Sequence, residues 1–376
     1  MPSVTHRDRP VFQGNETPSV GVEIEFQLID PETADLTDRI LPLLRTLPDD
    51  PAIKAEMTCC TVEINSKVCS GIDELEEDLA KTLRKLQEHC RRLGIGLCAA
   101  GTHPFSQRPV AVTRAPRYLA TERSMPYLSR RLRTFATHVH VGMPSGDVAV
   151  RVMAMLKPYL PLLLALAANS PYWEGVDTAF ACFRQRVLAS YRDYGMPPDF
   201  ADWREFLVFF ECNRRTGVYQ SPRSFHWDVR PSPTFGTLEV RVMDAQSTLA
   251  ENVTLAAFVY TLSMYLRRCL ERDEAGLLPR KPWWLEKLNI FNAAHLGLDS
   301  RFIIDDHGHG LPTARVMRMV ARALTTTAAE LGTAPYLERL ERLMASPGYR
   351  RQRDTFQRSG DLRAVVRRLM EELETP

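Results

Sequence analysis

His226-Trp227-Asp228-Val229-Arg230-Pro231-Ser232-Pro233-Thr234-Phe235-Gly236-Thr237-Leu238-Glu239-Val240-Arg241-Val242-Met243-Asp244 reads as two short strands and the turn between them. The first strand is predicted over Phe225 to Val229 and the second over Thr237 to Val242. The Pro- and Gly-bearing stretch Pro231 to Gly236 joins them. Side chains alternate along a strand, so Glu239 and Arg241 share one face and Leu238, Val240 and Val242 the other. One such strand is ordinary, because a charged face commonly just meets water. The recurrence of the pattern elsewhere gives it weight.

Ser19 to Asp30 alternates in the same way, with Glu23, Glu25 and Gln27 opposite Val22, Ile24, Phe26 and Leu28. Two carboxylates two residues apart on one strand face repel, and they call for a cation or open water. Glu56 to Asn65 is a further strand pattern that carries Glu63, with Glu56 at its approach. Ala136 to Gly142 places His138 and His140 on one face and Val139 and Val141 on the other, a spacing that suits metal ligation and also occurs in plain strands. If these strands lie side by side, they make a sheet with an apolar face for helices and a polar face that floors a cleft. Carboxylates gathered there require divalent cations, and oxygen-rich sets with one imidazole suit Mg²⁺ or Mn²⁺ better than a structural zinc. Arg230 and Arg241 add positive charge for phosphate or carboxylate. The favoured chemistry is phosphoryl transfer from a metal-bound nucleotide. The chain has no GxxxxGK loop and no GxGxxG unit between strand and helix, so neither a P-loop nor a Rossmann fold would hold that nucleotide.

At 376 residues, 44% hydrophobic and 25% charged, the chain has ordinary globular composition. A net charge of +2 argues against nucleic-acid or membrane-surface partners. Residues 1 to 17 form a polar arm unlike a signal peptide, and residues 18 to 376 are expected to form a single domain with a helical C-terminal portion. The longest apolar run, Tyr159 to Ala168, is too short to span a bilayer. The eight cysteines show no CxxC or zinc-like spacing, and buried thiols in a reducing, cytoplasmic compartment are expected.

Ile72 to Leu93 is the clearest helix, with acidic residues in its first turns and a leucine stripe for the sheet. A strand follows over Ile95 to Ala100. A helix over Asp147 to Ala168 should break near Pro158 and Pro161. Tyr172 to Ser224 is loop-rich, with Asp177 and Arg184 as polar candidates and a helix over Trp203 to Cys212. Leu249 to Leu270 is a long apolar helix, Arg280 to Gly310 is read as irregular, and helices over Thr313 to Leu331 and Asp361 to Leu373 close the chain. Asp305-Asp306-His307-Gly308-His309-Gly310 is read as a turn, not a metal site.

Six segments taken in order carry a resemblance: VGVEIEF (20–26), EMTCCTVEINSKVC (56–69), AAGTHPF (99–105), THVHVGMP (137–144), ALAANSPYWEGVDTAFACFR (165–184) and HWDVRPSPTFGTLEVRVMD (226–244). Together they resemble the carboxylate–amine ligases of the glutamate–cysteine ligase type 2 family, over roughly residues 18 to 310. The resemblance implies an α+β, glutamine synthetase-like fold: a curved, mostly antiparallel sheet with helices on its outer face. It implies ATP-dependent amide formation between an amino-acid or other carboxylate substrate and an amine, through an acyl phosphate. By motif, Glu23, Glu25, Glu56, Glu63, His140 and Glu239 would hold Mg²⁺ or Mn²⁺, with Glu63 also a catalytic candidate. Arg230 and Arg241 would neutralise the transferring phosphate of ATP, and Arg184 would meet a phosphate or the substrate carboxylate. His138 is a weaker ligand candidate than His140.

Two departures from the family pattern bear on substrate or nucleotide contacts: Ala181-Cys182-Phe183 where a small hydroxyl residue is usual, and His295 where Arg is usual. A small-molecule kinase on the same metal–ATP floor, or an inactive binding protein of the same fold, remains open from the residues. A homodimer is compatible with all of these readings.

Overall fold

The structure is a computed structural model describing residues 9–47, 50–191, 194–217, 219 and 221–374. Its strands are β1 (Val20–Ile29), β2 (Ile53–Ala55), β3 (Thr61–Asn65), β4 (Gly96–Cys98), β5 (Ala136–Gly142), β6 (Tyr172–Trp173), β7 (Val176–Asp177), β8 (Val229–Ser232), β9 (Thr237–Asp244), β10 (Arg301–Ile303) and β11 (Gly310–Pro312). Seven of them form one open sheet in the order β2-β3-β1-β5-β9-β8, with β4 paired to the C-terminal half of β1. Every pairing in it is antiparallel.

The alternation seen in sequence is the alternation of this sheet. Val22, Ile24, Phe26 and Leu28 of β1, Val62 and Ile64 of β3, Val139 and Val141 of β5, and Leu238 and Val240 of β9 are buried in one apolar core. Helices Ile72–Arg92, Gly146–Leu156 and Leu249–Glu271 cover that face. Leu249–Glu271 begins with a reciprocal capping box between Thr248 and Glu251. Ile72–Arg92 carries Asp73 and Glu74 in its first turn and Arg91 and Arg92 in its last, matching the helix dipole at both ends. Gly146–Leu166 and Leu249–Glu271 are long and apolar enough to cross a membrane by composition, but 83% and 78% of their apolar windows are buried inside the fold.

Several elements differ from the sequence reading. The first strand of the organising hairpin is β8, Val229–Ser232, not Phe225 to Val229. Phe225 and Trp227 instead stack on each other, with centroids 4.6 Å apart, among Phe206, Phe209 and Phe210. Pro231 is tolerated because β8 is the sheet edge and has one neighbour. β2 is not expected from the sequence, and Glu56 to Cys60 form a turn into β3. Arg280 to Gly310 is not irregular: it holds a helix, Trp283–Leu296, and the β10–β11 hairpin. The Thr313 to Leu331 helix divides into Thr313–Ala323 and Thr325–Glu330, and a further helix, Gly348–Ser359, precedes the last one. The break near Pro158 occurs as expected, as a 3-10 turn over Lys157–Tyr159. The arm packs along the hairpin where it is described: Phe12 meets Trp203 edge-on at 5.5 Å, and the Gln13 amide donates to the Pro233 carbonyl.

Candidate active site

The polar face is assembled by register. Glu23 lies opposite His138, Glu25 opposite Glu63, His140 opposite Glu239, and Glu239 opposite Arg230. Between Thr137 and Val139 the β5–β9 register shifts, so Arg241 and Val242 together oppose His138. That bulge brings the Arg241 guanidinium to 3.4 Å from His138 Nδ1. Four of the sequence-predicted strands therefore contribute to one floor, and two charge clusters stand on it.

The first cluster is Glu23, His140 and Glu239, whose ligand atoms lie within 4.8 Å of one another. His140 Nδ1 is 2.8 Å from Thr237 Oγ1, which fixes the ring, while the buried Nε2 has no hydrogen-bond partner. An orphaned imidazole nitrogen facing two carboxylates, its ring oriented from behind, fits a divalent cation. Glu239 is gripped by Arg230, with Nε at 2.7 Å from Oε2 and Nη2 at 3.1 Å from Oε1, and by Arg241. Burial works to raise the Glu239 pKa, but the two guanidiniums hold it far below the usual carboxylate range. Glu23 is likewise held well below that range, against burial, by His138 and His140. His138 is pushed down to about 4 by burial and by Arg241, so it stays neutral beside Glu23. His138 thus lies against the cluster without belonging to the trio.

The second cluster is Glu25, Glu56 and Glu63, at the β1–β3 end. Burial, then the Glu56 charge, raises the Glu25 pKa to about 8. Burial, then Glu23, Glu56 and Glu25, raises Glu63 well above its usual value. Glu25 accepts from the Ala136 amide at 2.7 Å, Glu63 from Asn65 Nδ2 at 2.8 Å, and Glu56 from the Tyr118 hydroxyl at 3.0 Å. Burial and mutual repulsion thus favour the protonated forms of Glu25 and Glu63, and a nearby cation would favour their ionised forms. Among the described residues, only the first cluster brings three ligand atoms within 4.8 Å of one another.

Arg184 is deeply buried. Its guanidinium donates to the carbonyls of Arg241 and Val242 and lies 3.7 Å from Asp244. It therefore ties down the C-terminal half of β9, and its charge also acts to lower the pKa of Glu25. Asp177 pairs with Arg353 at 2.9 Å. The Asp305 to Gly310 run is the β10–β11 turn, in which Asp305 accepts from the amides of His307 and His309. His295 packs on Phe180 with ring centroids 4.9 Å apart, and Cys182 Sγ donates to Asp244 at 3.2 Å.

Sequence reasoning missed Thr237, Tyr118 and Asp228. Thr237 begins β9 on the same face as Glu239, so alternation could have found it. Asp228 precedes Arg230 by two residues and is fully buried, and burial raises its pKa to about 6. Nothing in the sequence signals Tyr118.

The signature of the family described as Glutamate-cysteine ligase family 2 matches residues 19–372. A Trichormus variabilis protein provisionally named glutamate–cysteine ligase 2 is 45% identical over 366 residues, spanning 96% of this chain and 94% of that protein. A Mycobacterium tuberculosis protein of the same provisional name is 36% identical over 377 residues, 99% of this chain and 100% of that one. A solved glutamate–cysteine ligase from Francisella tularensis, in complex with AMP, superposes with a TM-score of 0.66 at 12% identity, over 97% of this chain and 90% of that one. A bifunctional glutathione synthetase from Pasteurella multocida superposes with a TM-score of 0.69 at 12% identity. It aligns with 94% of this chain, which spans only about half, 52%, of that larger protein. At such identities the structures speak for the fold alone, and that fold is the glutamine synthetase-like one: an open, mostly antiparallel sheet with helices on one face. The chain belongs to glutamate–cysteine ligase family 2 and is an ATP-dependent carboxylate–amine ligase acting on small molecules.

Proposed function

We propose that the chain joins the γ-carboxylate of glutamate to the amine of cysteine, or of a similar amino acid, with Mg²⁺ or Mn²⁺ held by the two carboxylate clusters. The observation that carries this reading is His140 Nε2, which makes no hydrogen bond, lies 3.6 Å from Glu23 Oε1 and is grouped with Glu23 and Glu239, with Arg230 and Arg241 alongside. Glu23, His140 and Glu239 would hold one ion, and Glu25, Glu56 and Glu63 the other. Ions bound there would neutralise phosphate and carboxylate oxygens so that like charges could meet.

A substrate carboxylate oxygen attacks the γ-phosphorus of ATP, ADP leaves, and an acyl phosphate forms. The amine then attacks the acyl carbon, phosphate leaves, and the amine loses a proton. Arg230 and Arg241 stabilise the transferring phosphoryl charge; their side chains are mostly buried and both meet Glu239, which leaves further guanidinium nitrogens for phosphate. Arg184 holds the β9 carbonyls that fix Arg241. Glu63 stands at the end where the reacting carboxylate would lie.

Eight free thiols, seven of them buried, support a reducing, cytoplasmic setting. The near-neutral charge supports an enzyme without nucleic-acid or membrane partners, and sedimentation would show whether it forms the homodimer compatible with this reading. The test is divalent-cation-dependent formation of an amide from ATP, glutamate and cysteine, followed by mass spectrometry. A phosphorylated acceptor in place of the amide would convert the reading to a kinase.

A further inference from the structure

Between β4 and β5 the chain makes a strongly basic excursion. Residues 108 to 133 hold seven arginines against one carboxylate, Glu122. Most of these arginines are paired: Arg108 with Asp38, Arg130 with Glu122, and Arg131 and Arg133 both with Glu174. Among the described residues, Arg114, Arg117 and Arg123 have no carboxylate partner.

The excursion is pinned to the acidic end of the site. The Cys59 amide donates to the Ala111 carbonyl at 2.8 Å, the Thr113 amide to the Met57 carbonyl at 2.9 Å, and Thr113 Oγ1 to the Glu56 carbonyl at 2.5 Å. The helix that follows, Pro116–Ser124, buries none of its residues. Its inward link is Tyr118, whose hydroxyl donates to Glu56 at 3.0 Å. The Arg117 guanidinium lies 4.3 Å above the Tyr118 ring and donates to the same hydroxyl. A helix that adds nothing to the core thus holds a cation one side chain away from a carboxylate of the second cluster.

The other site cations already have tasks, Arg230 and Arg241 toward Glu239 and phosphate, and Arg184 toward backbone carbonyls and Asp244. Arg117 has nitrogens to spare in a geometry that matches a carboxylate in bidentate fashion. An amino-acid substrate brings a carboxylate that does not react, and that group needs a cation close to the reacting end.

Building on the ligase reading, we propose that Arg117, steered by Tyr118, is a specificity-determining residue that binds the non-reacting carboxylate of an amino-acid substrate. That carboxylate belongs either to the acid donor or to the amine acceptor, and the two are separable. Binding is titrated with glutamate, its α-carboxamide isoglutamine, cysteine and cysteamine, with Mg²⁺ and a non-hydrolysable ATP analogue present. The proteins are wild type, Arg117→Gln and Arg117→Lys.

Arg117→Gln should weaken one carboxylate-bearing probe by about 10- to 100-fold, leave its counterpart without that carboxylate unchanged, and be partly rescued by Arg117→Lys. A contrast between glutamate and isoglutamine assigns the donor, and one between cysteine and cysteamine the acceptor. Equal weakening of both members of a pair, no weakening, or a wild type that binds neither glutamate nor cysteine would overturn the assignment. Turnover with the same probes judges the parent reading separately. A wild type that binds them with the Arg117 contrast intact, yet forms no amide, defeats the ligase reading on these substrates and leaves Arg117 standing.

Discussion

Glu239 faces His140 across the β5–β9 pairing and meets two guanidiniums, one from β8 and one from its own strand. It is buried, so its charge is screened little, and both Arg230 and Arg241 depend on it for compensation. Glu239→Gln keeps the size and removes the charge. Turnover should fall at least about 100-fold, a loss typical of removing one well-placed electrostatic group. Unfolding should stay cooperative at a lower Tm, because two buried cations lose their partner. Near-normal turnover in this variant would remove Glu239 from the site. At this scale the sequence was informative. Alternation along VGVEIEF, THVHVG and TLEVR places Glu23, Glu25, His140, Glu239 and Arg241 on polar strand faces without any knowledge of the register. Arg184 is harder, because ACFR lies in a loop-rich stretch and no periodicity says that its guanidinium reaches the carbonyls of β9.

The β8–β9 hairpin shows what strand patterns leave out. Its loop ends at Gly236, with φ of +65°, and a Cβ there would collide with the Gln13 carbonyl of the arm. The Gly236 carbonyl in turn accepts from the Met143 amide at 2.9 Å, just after β5. Gly236→Ala should therefore cost about 1–2 kcal/mol for the left-handed backbone alone, and more for displacing the arm. A drop in Tm of several degrees measures this, and an unchanged Tm would contradict the packing of the arm on the hairpin. The arm looked merely polar in sequence because its anchor is one ring, Phe12 on Trp203, which has no period to read. The same limit explains the missed helix Trp283–Leu296, which carries Trp283, Trp284, Leu288 and Phe291 on exposed positions and so lacks a clear polar face. It also explains β2, three residues long and recognisable only by its pairing with β3. The bulge opposite His138 depends on two strands at once, so neither strand's sequence announces it.

For the whole molecule, one sheet face sustains four acidic side chains, Glu23, Glu25, Glu63 and Glu239, with Glu56 beside them in the turn before β3, while the opposite face is the core. Such a fold is stressed without cations, and the direction of the stress with pH is fixed. The Glu25 pKa is raised by burial and by Glu56 to about 8, so the folded state holds a proton that the unfolded state releases. Stability from this group is present below the unfolded value near 4.5 and is lost as pH rises toward 8. Metal-free protein should therefore lose Tm across that window, and Mg²⁺ should raise Tm more at pH 8 than at pH 5. A Tm indifferent to Mg²⁺ at both values would leave the carboxylates without the role given to them. The most direct measurement of the central claim is turnover itself: purified protein with Mg²⁺, ATP, glutamate and cysteine, with ADP and phosphate quantified and the product identified by mass. The account predicts one amide formed per ADP and phosphate released, and no product without the divalent cation. ATP consumed to give a stable phosphorylated amino acid, or an amide formed equally well in chelator, would contradict it.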